Sequence, residues 1–143
     1  SIQSVKGVQI GDAYQQAASL GSSAQDEIIG LSNGHIERAS NHAGGIEGGI
    51  SNGSVLRVSA ALKPISTVPR ALRSVDLADG TAATALHQRS DTCAVVPAAV
   101  IAQAEVAMVL ADALLEKTGG DSLLEAKRNL AGYLEDVAER TNW

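Results

Sequence analysis

The sequence predicts a mixed α and β chain, with short strands in the first two thirds and two helices in the last third. Three observations carry this expectation. Residues 4–10 and 54–62 alternate with the period of a strand, and a glycine-crowded stretch lies between them. From Pro97 onward, a stretch rich in Ala, Val and Leu runs without a further Gly or Pro to a Gly-Gly pair at 119 and 120.

Taken in order, residues 4–10 (SVKGVQI) form the first strand, and Asp12 stands where it can cap a short helix over 13–20, stopped at Gly21. From Gly30 to Gly53 the chain is rich in Gly, Asn and Ser. Gly44, Gly45, Gly48, Gly49 and Gly53 crowd together and exclude a regular helix there. Over 54–62, Leu56, Val58, Ala60 and Leu62 share one strand face, the face expected to be buried. Pro64 and Pro69 bracket a loop, and 72–77 is a further strand closed by Asp79-Gly80. Pro97 suits the first turn of a helix running to Lys117. Because Ile101, Val106, Met108, Val109 and Leu115 fall on several faces, this helix is expected to be buried between layers or against another subunit. The second helix runs from Ser122 to about Arg140, with capping-box spacing at Ser122 and Glu125 and a stripe of Leu123, Leu130, Leu134 and Val137. No repeat, low-complexity tract or linker divides the chain, so residues 1–143 read as part of one domain.

Composition narrows the function. The 143 residues are 45% hydrophobic and include no Phe, so any core is built from Ala, Val, Leu and Ile. Tyr14, Tyr133 and Trp143 are the only aromatics, and the formal net charge is −5. Both facts argue against a nucleic-acid partner, which needs stacking platforms or a basic surface. Only residues 54–91 are basic on balance. No uninterrupted run of about 18 apolar residues suggests a membrane span, and no secretory signal opens the chain, so a soluble, cytoplasmic protein is expected. The first residue is not Met and the chain enters a strand at once, which reads as truncation at its start. Cys93 is the single cysteine. It excludes an intrachain disulfide, offers no zinc-ligand spacing, and reads as a small buried hydrophobe.

Three segments carry more polar chemistry than folding requires: 41–53, 63–67 and 89–93. Glycines let backbone N–H groups approach a phosphate or a flat ring closely, although glycine clusters serve structural turns as well. Lys63-Pro64-Ile65-Ser66-Thr67 offers an ammonium and two hydroxyls on a stiffened backbone, either a phosphate site or a solvated Lys before a turn. Arg89-Ser90-Asp91 places a cation and a carboxylate on one side of an extended segment. The pair is a surface ion pair, or an anion-binding Arg beside a proton-accepting Asp.

In order and spacing, Asn41-His42-Ala43-Gly44-Gly45-Ile46-Glu47-Gly48-Gly49-Ile50-Ser51-Asn52-Gly53, Lys63-Pro64-Ile65-Ser66-Thr67 and Arg89-Ser90-Asp91-x-Cys93 resemble the chorismate synthase family. Val5-Lys6-Gly7-Val8-x-Ile10-Gly11-Asp12 and the run from Leu110 to Ser122 extend the resemblance over residues 3–134. It implies an α+β fold, a β-α-β sandwich of antiparallel sheets around helices, in a cytoplasmic homotetramer. It also implies elimination of phosphate and a ring proton from 5-enolpyruvylshikimate 3-phosphate on reduced FMN, giving chorismate in the shikimate pathway with no net redox change. Whether NADP or a separate reductase supplies flavin reduction stays open. Matching positions give Gln3, Ser4, Gly48, Lys63, Pro64, Ile65, Ser66, Thr67 and Arg89 as implied FMN contacts, and Asp91 as the implied catalytic aspartate near flavin N5. The basic stretch 54–91 suits a pocket for two phosphates and the carboxylates of the substrate.

The family's catalytic histidines and substrate-gripping arginines lie in an N-terminal part that no segment here matches, so this chain alone is expected to be inactive. His42 stands where related sequences have Arg or Asn, and Gln25 where they often have His. Val96-Pro97 falls one residue late, Gln103 occupies a usual Glu position, and Glu105 follows two further on. The alternative reading is a non-catalytic fragment that self-associates through the apolar helix 97–117.

Overall fold

The computed structural model describes residues 2–32, 35–88 and 93–141. Among these, the strands are β1 (Val5–Ile10), β2 (Ile28–Ser32), β3 (His35–Arg38), β4 (Ile46–Glu47), β5 (Ile50–Ser51), β6 (Val58–Leu62), β7 (Arg73–Val75) and β8 (Ala82–Thr84). The helices are α1 (Ala13–Ala17), α2 (Gly21–Ala24), α3 (Val95–Thr118) and α4 (Leu123–Thr141). Strands pair two by two, as β1 with β6, β2 with β3, β4 with β5 and β7 with β8, the last three pairs antiparallel. The chain is thus α+β. It divides into two compact units, Ser1–Gly7 with Ala60–Ala102, and Val8–Ser59 with Gln103–Trp143.

In the first unit the hairpin β7–β8 is set by its turn. The Asp76 carboxylate accepts the Ala78 N–H, and the Asp79 carboxylate accepts both the N–H and the hydroxyl of Thr81. The expected strand at 72–77 contracts to β7. Its partner β8 carries Ala82 and Ala83, poor strand formers, so the register comes from the Asp79-Gly80 turn rather than from its own residues.

In the second unit the helix expected over 13–20 stops after Ala17, and α2 starts afresh at Gly21. Asp12 precedes α1 but makes no side-chain cap, because its carboxylate is engaged elsewhere. The glycine-rich stretch holds two hairpins, β2–β3 and the minimal β4–β5, where Ile46 pairs with Ser51 and Glu47 with Ile50. Its glycines fall into two classes. A methyl group on Gly44 would overlap the backbone of Gly11, and one on Gly45 would lie 2.8 Å from the Val55 carbonyl oxygen, so these permit backbone to pack on backbone. Gly48, Gly49 and Gly53 instead face open space with positive φ.

The two long helices meet the expected boundaries within a residue or two, and the turn between them is tightly specified. The Gly119 N–H donates to the Leu115 carbonyl at 2.7 Å, and Asn129 Nδ2 donates to the Thr118 carbonyl at 2.9 Å. Ser122 Oγ accepts the Glu125 N–H at 3.2 Å, while Glu125 reaches back to the Asp121 N–H at 2.8 Å, a capping box displaced by one residue. Lys117 Nζ lies 4.2 Å from the Tyr133 ring centroid.

Burial departs from expectation. Among the described residues the buried apolar side chains are Ala24, Ala98 and Ala126. In α3, Val96, Val100, Met108 and Val109 are exposed. Of the expected inner face, Leu56 just before β6 and Leu62 at its end are half-buried, while Val58 and Ala60 are exposed. By length and mean hydropathy (1.8 over 18 residues) α3 also meets the requirement for crossing a membrane, although Glu105 interrupts the apolar run. A carboxylate at the centre of such a span is costly, by about 2.5–3.5 kcal/mol on insertion scales.

Candidate functional site

The first unit contains an open cleft of about 550 Å³, within the size range of small-molecule sites. Two segments far apart in sequence build it. Ser4, just before β1, lies beside Lys63, just after β6, and the Lys63 N–H donates to the Ser4 carbonyl at 2.8 Å. Pro64, Ile65 and Thr67 continue the wall, and Cys93 with the start of α3 supplies another part of it. The lining is largely apolar, and among its residues Lys63, Ser4 and Thr67 carry an ammonium or a hydroxyl. That composition suits a flat ring system carrying an anionic substituent.

Ser4 is the one non-glycine residue among those described that adopts a left-handed backbone, with φ 68°. A serine held there is strained by about 1–2 kcal/mol. Strain of this kind is retained where the surroundings fix it, and here the Lys63 hydrogen bond does so at the rim of the cleft.

The structure therefore brings together Ser4, Lys63, Pro64, Ile65 and Thr67. Ser66 does not join them; it opens onto a separate recess of about 60 Å³ that Thr67 and Val68 also border. Gln3 is exposed beside Ser4 and lines no part of the cleft. Gly48 belongs to the second unit, at the open tip of the β4–β5 hairpin. Arg89 and Asp91 lie outside the described residues, as does Trp143. Cys93, expected as a buried hydrophobe, is exposed and borders the cleft, because the chain entering α3 passes its rim.

In the second unit the glycine-rich loop is held by carboxylates. Asp26 is buried and accepts hydrogen bonds from the Ser40 hydroxyl, the His42 N–H at 2.7 Å and the Ala43 N–H at 2.9 Å. Burial pushes its carboxyl up, but these donors outweigh burial and hold it below the ordinary value. Asp12 pairs with His42 Nδ1 at 2.9 Å and Arg57 Nη2 at 3.0 Å, and these two hydrogen bonds lower its carboxyl, His42 first. Asn41 joins the loop to the next segment, taking the Gly45 N–H and giving Nδ2 to the Val55 carbonyl. The sequence reading did not single out Asp26. The available signal was the acid pair Asp26-Glu27 between Gln25 and an apolar strand, which spacing does not distinguish from surface residues.

Comparison with known proteins settles the family. Residues 1–115 match the family model described as chorismate synthase. This chain belongs to the chorismate synthase family. It is 60% identical over 139 residues to the chorismate synthase of Beutenbergia cavernae, covering 97% of this chain and 35% of that protein. With the chorismate synthase of Corynebacterium diphtheriae the identity is 61% over 139 residues, covering 97% of this chain and 34% of the relative. A crystal structure of chorismate synthase superposes with a TM-score of 0.74 at 40% identity, over 96% of this chain and 34% of the solved one. The chain spans about a third of the length of the relatives it matches. The expected α+β fold of the family is thus observed, and the family is one of lyases in aromatic biosynthesis.

Proposed function

We propose that the whole protein of which this sequence is part converts 5-enolpyruvylshikimate 3-phosphate to chorismate on reduced FMN, and that this chain supplies part of the flavin site. The observation that carries the reading is the convergence of Ser4 with Lys63, Pro64, Ile65 and Thr67 on one cleft, at positions the family resemblance assigns to FMN. The residues present fit that cofactor: the Lys63 ammonium suits its phosphate, and the apolar walls suit its ring.

When bound, reduced FMN supplies transient electron density to the reacting ring. Phosphate leaves, a ring proton leaves, and a carbon–carbon double bond forms, so the overall change is an elimination without net oxidation. In this reading Lys63 and Thr67 hold the flavin phosphate, and Ser4 with the Pro64-Ile65 backbone orients the cofactor. Arg89 adds positive charge, while the Asp91 carboxylate accepts a proton near flavin N5. Gln3, Ser66 and Gly48 are further proposed FMN contacts. Neither Gln3 nor Ser66 lines the cleft.

The direct assay is chorismate formation from the phosphate ester with reduced FMN. The full-length protein should show it and the 143-residue chain should not, since the family's acid-base histidines have no match here. Turnover by the short chain would refute this division of labour. If Asp91 moves a proton, Asp91→Asn in the full-length protein should lower kcat by one to three orders of magnitude, about 1.4–4 kcal/mol, with flavin affinity retained. Near wild-type turnover would remove Asp91 from the mechanism.

A second reading, self-association, rests on the exposed apolar faces of α3. It fits a cytoplasmic homotetramer. Size-exclusion chromatography beside flavin titration separates the two readings for the short chain. Assembly without any change in FMN fluorescence would favour an association module.

A further inference from the structure

The minimal hairpin β4–β5 has two residue pairs, too few to hold a defined shape in water unaided. Its tip is Gly48-Gly49, with φ of 58° and 80° and open space where side chains would stand. Such a tip presents bare backbone to anything that approaches, and it is useful for binding only if its geometry is fixed. A side-chain clamp fixes it. Glu47, the last residue of β4, accepts two hydrogen bonds on one oxygen: Oε2 lies 2.7 Å from Arg38 Nη2 and 2.7 Å from Asn52 Nδ2. Arg38 comes from the end of β3 and Asn52 from the residue after β5, so this one carboxylate joins both sides of the hairpin to the neighbouring strand. Asn52 is itself anchored, its N–H to the Gly45 carbonyl at 3.0 Å and its Oδ1 to the Ser54 N–H at 2.9 Å.

Arg38 is the unusual member. Its side chain is 13% exposed, and its Nε and Nη1 are buried and meet no hydrogen-bond partner among the described residues. A guanidinium is rarely withdrawn from solvent so far for a single carboxylate contact. An apolar side chain would fill the same space without that penalty, so packing alone does not account for an arginine here.

We propose that Arg38 is a positioning residue for the cofactor, acting through Glu47 to fix the Gly48-Gly49 tip, itself a proposed flavin contact. This rests on the FMN reading given above, in which Gly48 is a contact. Arg38 itself touches neither flavin nor substrate. Losing the clamp loosens the tip, which weakens flavin binding and leaves the chemistry of bound flavin as it was.

The test uses the full-length protein, with Arg38→Met, Glu47→Gln and the double variant, and Lys63→Ala as a control for the cofactor site. The quantities read are the apparent KM for FMN, kcat at saturating FMN, and Tm. Arg38→Met should raise the apparent KM for FMN roughly tenfold, with kcat at saturation within about twofold of wild type. The double variant should be no worse than either single one, since the two side chains act as one unit. A merely structural role would instead lower Tm and the active fraction, reducing kcat while leaving KM for FMN unchanged, and that result overturns the proposal. Should Arg38→Met fail to fold, Glu47→Gln keeps volume and backbone and is judged by the same split. Lys63→Ala weakening FMN while the clamp variants leave it unchanged would overturn the clamp alone. If neither Lys63→Ala nor the clamp variants alter FMN affinity, the flavin reading and the clamp both fail. A KM effect in the clamp variants without one in Lys63→Ala would support the clamp and remove Lys63 from the site.

Discussion

Asp26 is the side chain on which the glycine-rich loop most depends, since it satisfies the N–H groups of both His42 and Ala43 from a buried position. Replacing it by Ala strands those donors, and each unsatisfied buried group costs about 1–3 kcal/mol. Asp26→Ala should therefore lose about 2–4 kcal/mol of unfolding free energy in urea, whereas loss within experimental error would show that water replaces the carboxylate freely. The lowered carboxyls of Asp12, Asp26 and Asp79 also fix the sign of an acid effect. Each is depressed relative to the ordinary value of 3.8, so the stability it contributes is present above about pH 4 and is lost as pH falls through its folded-state value. Thermal melts below pH 4 should show Tm falling, and Asp26→Asn should flatten that fall. At this scale the sequence was only partly legible. The Lys63–Thr67 run stood out by its residue types, and Lys63, Pro64, Ile65 and Thr67 line one cleft, but Asp12 read as a helix cap because its true partners, His42 and Arg57, lie 30 and 45 positions away.

At the scale of elements, local rules succeeded where the chain closes on itself within a few residues. The capping box at the start of α4 and the glycine stop after α3 were both readable, since each is written in adjacent positions. Ser122→Ala should cost about 1 kcal/mol, read from a urea titration followed by helical circular dichroism. Hairpins β2–β3 and β4–β5 were not readable, because polar and glycine residues conceal short strands whose pairing is fixed by side chains such as Glu47. The glycines permit a sharper comparison. Gly48→Ala should cost only the left-handed backbone penalty of about 1–2 kcal/mol, since nothing stands in the way of a methyl group. Gly45→Ala adds overlap with the Val55 carbonyl and the Leu56 backbone, so it should unfold at lower denaturant than Gly48→Ala. The reverse order would mean that the loop relaxes around Gly45.

At the scale of the molecule, sequence pattern identified α3 and β6 as surfaces meant for burial, yet the described residues leave them open. Periodicity reports which face is apolar and is silent about what covers it. The central claim is that the cleft beside Ser4 and Lys63 is a flavin phosphate site in the full-length protein. Its most direct test is equilibrium FMN affinity of wild type and Lys63→Ala, with kcat measured at saturating flavin. An ammonium against a phosphate acts mainly in the bound ground state, so affinity should fall by roughly tenfold or more while kcat changes little. Unchanged FMN affinity in a folded Lys63→Ala protein would contradict the account.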